Sequence, residues 1–209
     1  MSKTPVLVFL VGLVFLFLDV RYPYEAFGLA ELLPEVKGVE LDLLLPDFMG
    51  YALVVVALKP LAVLDRRFRV ARVLAAILVV VSVSDLVLFR RVLDRHGDMT
   101  YYYDPLWFAD VASKLGELAV IWFGVGGLKE VAVRQCRFNV GRPLEMARNL
   151  YVTLGLFELA DLGVTLVAPY WHSYYAIALW AFRVLAIVLV VEALLLTWWR
   201  LGLPAPEAE

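Results

Sequence analysis

Residues 57–72 read ALKPLAVLDRRFRVAR, and residues 127–142 read GLKEVAVRQCRFNVGR. The two stretches agree at Leu58/Leu128, Lys59/Lys129, Ala62/Ala132, Val63/Val133, Arg67/Arg137, Phe68/Phe138, Val70/Val140 and Arg72/Arg142. Each lies between two long apolar runs, so each reads as an apolar helix, a basic turn and a returning helix. The repeated unit covers about 47–90 and again about 108–168. Arginine and lysine at such turns mark the side of a membrane that the turn faces.

Composition points the same way. The chain has 209 residues, of which 63% are hydrophobic, and its mean hydropathy is +0.80. Soluble domains run at about 45–50% apolar, so lipid is expected to cover the surplus. The net charge of −2 carries little information, and no basic patch for nucleic acid emerges. The single cysteine, Cys136, rules out an internal disulfide framework and a cysteine-rich metal site. It falls in the second basic turn and reads as a free cytosolic thiol. The opening stretch MSKTPVLVFLVGLVFLFLDV resembles a signal peptide in outline. No small-x-small cleavage site follows, so a retained first helix is expected.

Six stretches reach the length needed to cross about 30 Å of hydrocarbon: about 4–20, 47–64, 73–90, 108–128, 149–168 and 175–199. The expected fold is an all-α integral membrane protein, one domain of six transmembrane helices arranged as repeated helical hairpins. An even number of spans leaves both termini on one side. That side carries Lys3, Lys59, Arg66, Arg67, Arg69, Arg72, Lys129, Arg134, Arg137, Arg142, Arg148 and Arg200. The other carries only Arg21, Lys37, Arg90, Arg91, Arg95 and Lys114, so both ends are expected in the cytoplasm.

The outer connections have a different character. The first, about 21–46, is acidic and reads as partly a short surface helix around EAFGLAELL, stopped by Pro34. The second, about 91–107, holds His96 and Tyr101-Tyr102-Tyr103, and a short third one runs from Pro169 to Tyr175. Their aromatic residues suit an interfacial belt, with an aromatic vestibule for a cation or flat ligand as the sharper alternative.

Residues 42–51, Asp-Leu-Leu-Leu-Pro-Asp-Phe-Met-Gly-Tyr, resemble a segment of uncharacterised small multi-span bacterial inner-membrane proteins, in which a loop ending in Leu-Pro-Asp enters a helix beginning x-x-Gly-Tyr. The resemblance covers about the first ninety residues. It implies a bacterial inner membrane and brings no activity with it. Taken by themselves, Pro46 suits a first helical turn, Asp47 suits the positive end of the helix dipole, and Gly50 permits close approach of a neighbour.

Ionisable residues inside a membrane are costly and are therefore the first candidates for function. Here they are Asp19, Asp85, Glu117, Glu158, Asp161, Arg183 and Glu192. Glu158 and Asp161 share one helix face, and Arg183 lies at a comparable depth on the next helix. One arginine against several carboxylates leaves negative charge that wants a proton or a small cationic ligand. The expected charged wall is Asp85, Glu158, Asp161 and Arg183, with Asp19 and Glu117 beside it. Simple pairing between helices is the plainer reading. Glycines 124, 126 and 127 read as packing positions.

The basic turns, through Arg66, Arg67, Arg69, Arg72, Arg134, Arg137 and Arg142, could hold anionic headgroups beyond their role in topology. No cofactor, metal motif, nucleophile elbow or phosphate loop is present in the sequence. A small transporter or ion- and ligand-binding membrane protein is the leading expectation. A non-catalytic assembly or scaffold subunit and a lipid-modifying enzyme are the alternatives, and the oligomeric state is left open.

Overall fold

A computed structural model describes residues 3–17, 22–23, 39–41, 47–82, 87–89, 91–96, 99–103, 107–167 and 169–200, with side chains over 3–17, 47–82, 111–160 and 181–200. The apolar runs fold as six helices: α1 (Thr4–Phe17), α2 (Asp47–Leu61), α3 (Arg66–Ser82), α4 (Trp107–Arg134), α5 (Phe138–Val167) and α6 (Pro169–Arg200). Short strands lie in the connections. β1 (Tyr22–Pro23), β2 (Val39–Leu41) and β3 (Val87–Phe89) form an antiparallel sheet in that order, and β4 (Arg91–His96) pairs antiparallel with β5 (Met99–Tyr103).

Consecutive helices pack side by side, and α6 returns to α1. Glycines show that neighbours run antiparallel. Gly12 and Gly50 bring α1 and α2 into backbone contact, Gly116 near the start of α4 receives Leu78 from the end of α3, and Gly127 near the end of α4 receives the Phe68 ring from the start of α3. Gly124 takes the Phe9 ring of α1, so α1 also reaches across to α4. Gly124 and Gly127 thus make room for aromatic rings, the packing role expected of them. The core around these contacts is apolar, with Phe9, Leu13, Leu58, Phe68, Ile121, Leu128, Leu144 and Leu194 fully buried.

The two basic turns meet at one end of the bundle. In the first, the Asp65 carboxylate accepts the Arg67 backbone N–H at 2.8 Å and caps α3. In the second, Cys136 takes a left-handed backbone (φ 56°). The Cys136 and Arg137 N–H groups donate to Val133 and Ala132, closing α4 as a glycine usually does. Arg134 then donates to the Leu64 carbonyl at 3.2 Å and to Asp65 at 2.7 Å. Arg67 bridges to Glu130 at 2.9 Å. Lys3 donates to the Trp199 carbonyl at 2.8 Å, so α1 and the end of α6 are tied together as well.

Similar sequences do not give similar turns here. Phe68 is fully buried against Gly127, whereas Phe138 is 64% exposed. At this pair the likeness of sequence is not carried into burial, whereas the matched Leu58 and Leu128 are both fully buried.

Several expected boundaries move. The third span, read as 73–90, ends as a helix at Ser82, and Val87–Phe89 is a strand paired with β2. A Val-rich run fits either state, and an available strand partner decides it. The stretch 91–107, read as a loop, contains β4 and β5. Residues 169–175, read as a connection, open α6, with Pro169 in its first turn where a missing N–H costs nothing. α5 starts at Phe138 rather than near 149, with Pro143 inside it. The surface helix expected around EAFGLAELL lies outside the described residues.

Among the described residues, Val111–Arg134 and Ala181–Arg200 are the stretches long and apolar enough to cross a bilayer by length and composition. The sequence reading expects six such spans. α1, α2 and α3 have 14, 15 and 17 residues, about 21–26 Å at 1.5 Å per residue, against ~30 Å of hydrocarbon. In α5 the apolar run is broken by Arg142, Glu145, Arg148 and Glu158.

Candidate functional site

Two charges three residues apart on one helix share a face, and α4 uses that spacing to turn Lys114 and Glu117 toward α5. Lys114 Nζ lies 3.3 Å from Glu117 Oε2 and 3.0 Å from Glu158 Oε2 on α5. From α6, Arg183 Nε approaches Glu158 Oε1 at 3.6 Å. The Tyr151 hydroxyl, about two helical turns before Glu158 on α5, donates to Glu117. Its ring lies 5.7 Å from Lys114 Nζ and 5.2 Å, centroid to centroid, from the ring of Phe17 on α1.

These charges are withdrawn from the surface. The side chains of Lys114, Glu117 and Glu158 are 17%, 12% and 21% exposed, and only Arg183, at 39%, reaches outward. Leu154, Gly155 and Ala186 fill the remaining space so closely that no water-sized guest fits between them. Gly155 matters here because Leu118 occupies the place a side chain would take. In such surroundings an ion pair is weakly screened, and an unmatched charge is expensive.

Of the expected residues, Glu117, Glu158 and Arg183 converge in this cluster. Asp161 is in α5, one turn beyond Glu158, with its side chain outside the described residues, and Asp19 and Asp85 lie outside them too. Sequence reasoning missed Lys114 and Tyr151. Lys114 reads from the sequence as a charge flanking an outer loop, although its spacing from Glu117 is a usable signal. With Lys114 present, two cations face two carboxylates among the described side chains, while the Asp161 and Asp85 side chains, on which the expected surplus of negative charge also depends, lie outside them. No group of three or more His, Cys, Asp or Glu side chains suited to a metal occurs among the described residues.

The basic residues gather at the opposite end. Arg67 and Arg134 are engaged in the turn contacts above, and Arg66, Arg69, Arg137 and Arg142 are at the surface, with Arg72 half-buried. Lys129 pairs with Glu145 at 2.5 Å. That hydrogen bond, then the ammonium charge, holds the Glu145 carboxyl below its ordinary range. The Arg148 guanidinium lies 3.9 Å from the centroid of the Trp122 ring, a cation–π contact.

No protein-family model, curated protein or solved structure matches this chain.

Proposed function

We propose that the chain is a small polytopic protein of a bacterial inner membrane, with both ends in the cytoplasm, that binds a small cation between α4, α5 and α6. The observation that carries this reading is an inverted distribution of polarity. Mid-helix side chains on the outside are apolar: Val56, Val73, Ile77, Val80, Leu156, Phe157, Phe182 and Val188 are all more than half exposed. Lys114, Glu117 and Glu158 point inward instead. Large apolar side chains exposed in number along helices mark a surface that meets another apolar phase, while a membrane protein turns its ionisable groups to the bundle interior. The segment 42–51 and the basic end carrying both termini support the same membrane and orientation. The shorter α1–α3 cross where the bilayer is locally thin or where their flanks complete the span.

Because the space among the described side chains is filled, a guest must displace an internal partner. Arg183 is the group to displace from Glu158, since at 3.6 Å it is the more distant of the two cations on that carboxylate and its side chain is the most exposed of the four. A cation takes the place of Arg183 on Glu158 as α6 shifts. The test is a thermal-shift titration of the detergent-purified protein with guanidinium and with sodium. A saturable shift is expected in the wild type. It disappears in Glu158→Gln, and it strengthens roughly ten-fold in Arg183→Gln, where the internal competitor is gone.

A second reading, an assembly subunit, is favoured by Glu192. This carboxylate is exposed on α6 in line with Val188 and Leu195, where a partner helix would shield it from lipid. Absence of any cation response in both the wild type and Arg183→Gln would leave the cluster as a clasp and turn the assignment to that reading.

A further inference from the structure

The meeting of the two basic turns leaves an open groove of about 480 Å³ between α3 and α4. Its wall changes character with depth. At the end of the bundle it is lined by Arg66, Arg67 and Arg134, opposed by Asp65 and Glu130. One turn further into α3 and two turns back along α4, the lining becomes Val70 and Phe123. Asp65 is spent on Arg134 and the cap of α3, and Glu130 on Arg67. Arg67 makes both its side-chain contacts through Nη1. Arg66 is exposed and makes no ion pair or hydrogen bond among the described residues.

The groove therefore has cationic donors at its mouth and an apolar floor, and the floor continues outside it. Val73 and Ile77, one and two turns beyond Val70 on α3, are exposed next along that helix. Arg148 lies behind Gly126, close enough for the like charge of Arg67 to reinforce the lowering that burial imposes on its guanidinium, against the opposing pull of Glu145. A free phosphate would use only the mouth. A ligand with an anionic head and an apolar body uses both parts.

We infer that this groove seats the phosphodiester headgroup of an anionic phospholipid of the cytoplasmic leaflet, with Arg66 and Arg67 on the phosphate and the glycerol and upper acyl chain against Val70 and Phe123. The inference rests on the membrane reading above. It also divides the basic residues by role. Arg66 and Arg67 hold the headgroup, while Arg137 and Arg142 lie outside the groove and serve only the general charge of that face.

Native mass spectrometry of the full chain in detergent, titrated with phosphatidylglycerol or phosphatidylcholine, tests it, with inorganic phosphate as competitor. The wild type is expected to retain phosphatidylglycerol in preference to phosphatidylcholine. Arg66→Gln should weaken retention about five-fold, the uncharged Val70→Ser should weaken it without pairing with the arginines, and Arg142→Gln should leave it unchanged. Equal losses in Arg66→Gln and Arg142→Gln would overturn the site in favour of a diffuse charged surface. Equal retention of both lipids would overturn the role of the phosphate, and full displacement by inorganic phosphate would overturn the lipid as occupant. If the membrane reading itself is wrong, the chain stays in solution without detergent, which is seen before any lipid is added.

Discussion

Replacing Lys114 by methionine is expected to destabilise the bundle by about 2–4 kcal/mol, because it removes the one cation that touches both Glu117 and Glu158 among the described residues. Glu158 retains Arg183 at 3.6 Å, but among the described residues Glu117 is left with the Tyr151 hydroxyl alone. Breaking a fully buried pair costs about 3–5 kcal/mol. The cost here is lower because Lys114 and Glu117 are still 17% and 12% exposed. The stranded charge, not lost packing, should dominate. A second change, Glu117→Gln, should therefore recover most of the loss, since glutamine still accepts from Tyr151 and carries no charge. Thermal or denaturant unfolding in detergent of the two single variants and the double variant gives the coupling directly. A Lys114→Met cost below about 0.5 kcal/mol would place these groups in water and remove the cluster as a candidate site.

The second large effect is expected at Gly50. A side chain there would begin 2.8 Å from the Leu16 side chain and 2.9 Å from the Gly12 carbonyl oxygen. The carbonyl belongs to the backbone of α1 and cannot turn aside as a side chain can. Gly50→Val should push α1 from α2 and cost about 3 kcal/mol, at the upper end of ordinary overpacking. Gly141→Ala is the control, because a Cβ there meets Val133 at 3.4 Å, an ordinary contact. It should be neutral, or stabilising by up to about 1 kcal/mol through helix propensity. Equal melting of Gly50→Val and the wild type would mean that the two helices are not in backbone contact.

How much of this is legible in the sequence follows from how local each signal is. Six helices are legible because each apolar run is interrupted by loop or basic residues, and the placement of the two basic turns at one end follows from alternation of direction. Gly50 is legible too, since a glycine one turn into a helix has few reasons to be there except close approach. The end of the third apolar run is not, because Val87–Phe89 suits helix and strand alike and its pairing is decided by β2, far away in the chain. Pro143 looks like a break, yet it comes early enough in α5 that only one backbone bond is lost. Lys114 misleads for the same reason in reverse. Its sequence neighbourhood suggests a flank, and only the arrival of α5 with Glu158 turns it into an interior group. Phe68 and Phe138 make the point most sharply, being matched in sequence and opposite in burial.

In the proposed topology the bundle crosses a bilayer with its two basic turns on the cytoplasmic face. Cys136 reports on this, because it is exposed in the second of those turns and is the chain's sole thiol. A membrane-impermeant maleimide applied to sealed vesicles is expected to label Cys136 when the vesicles are inverted and to leave it unlabelled in intact spheroplasts until detergent is added. Labelling of intact spheroplasts, or recovery of the protein in the soluble fraction without detergent, would contradict the account.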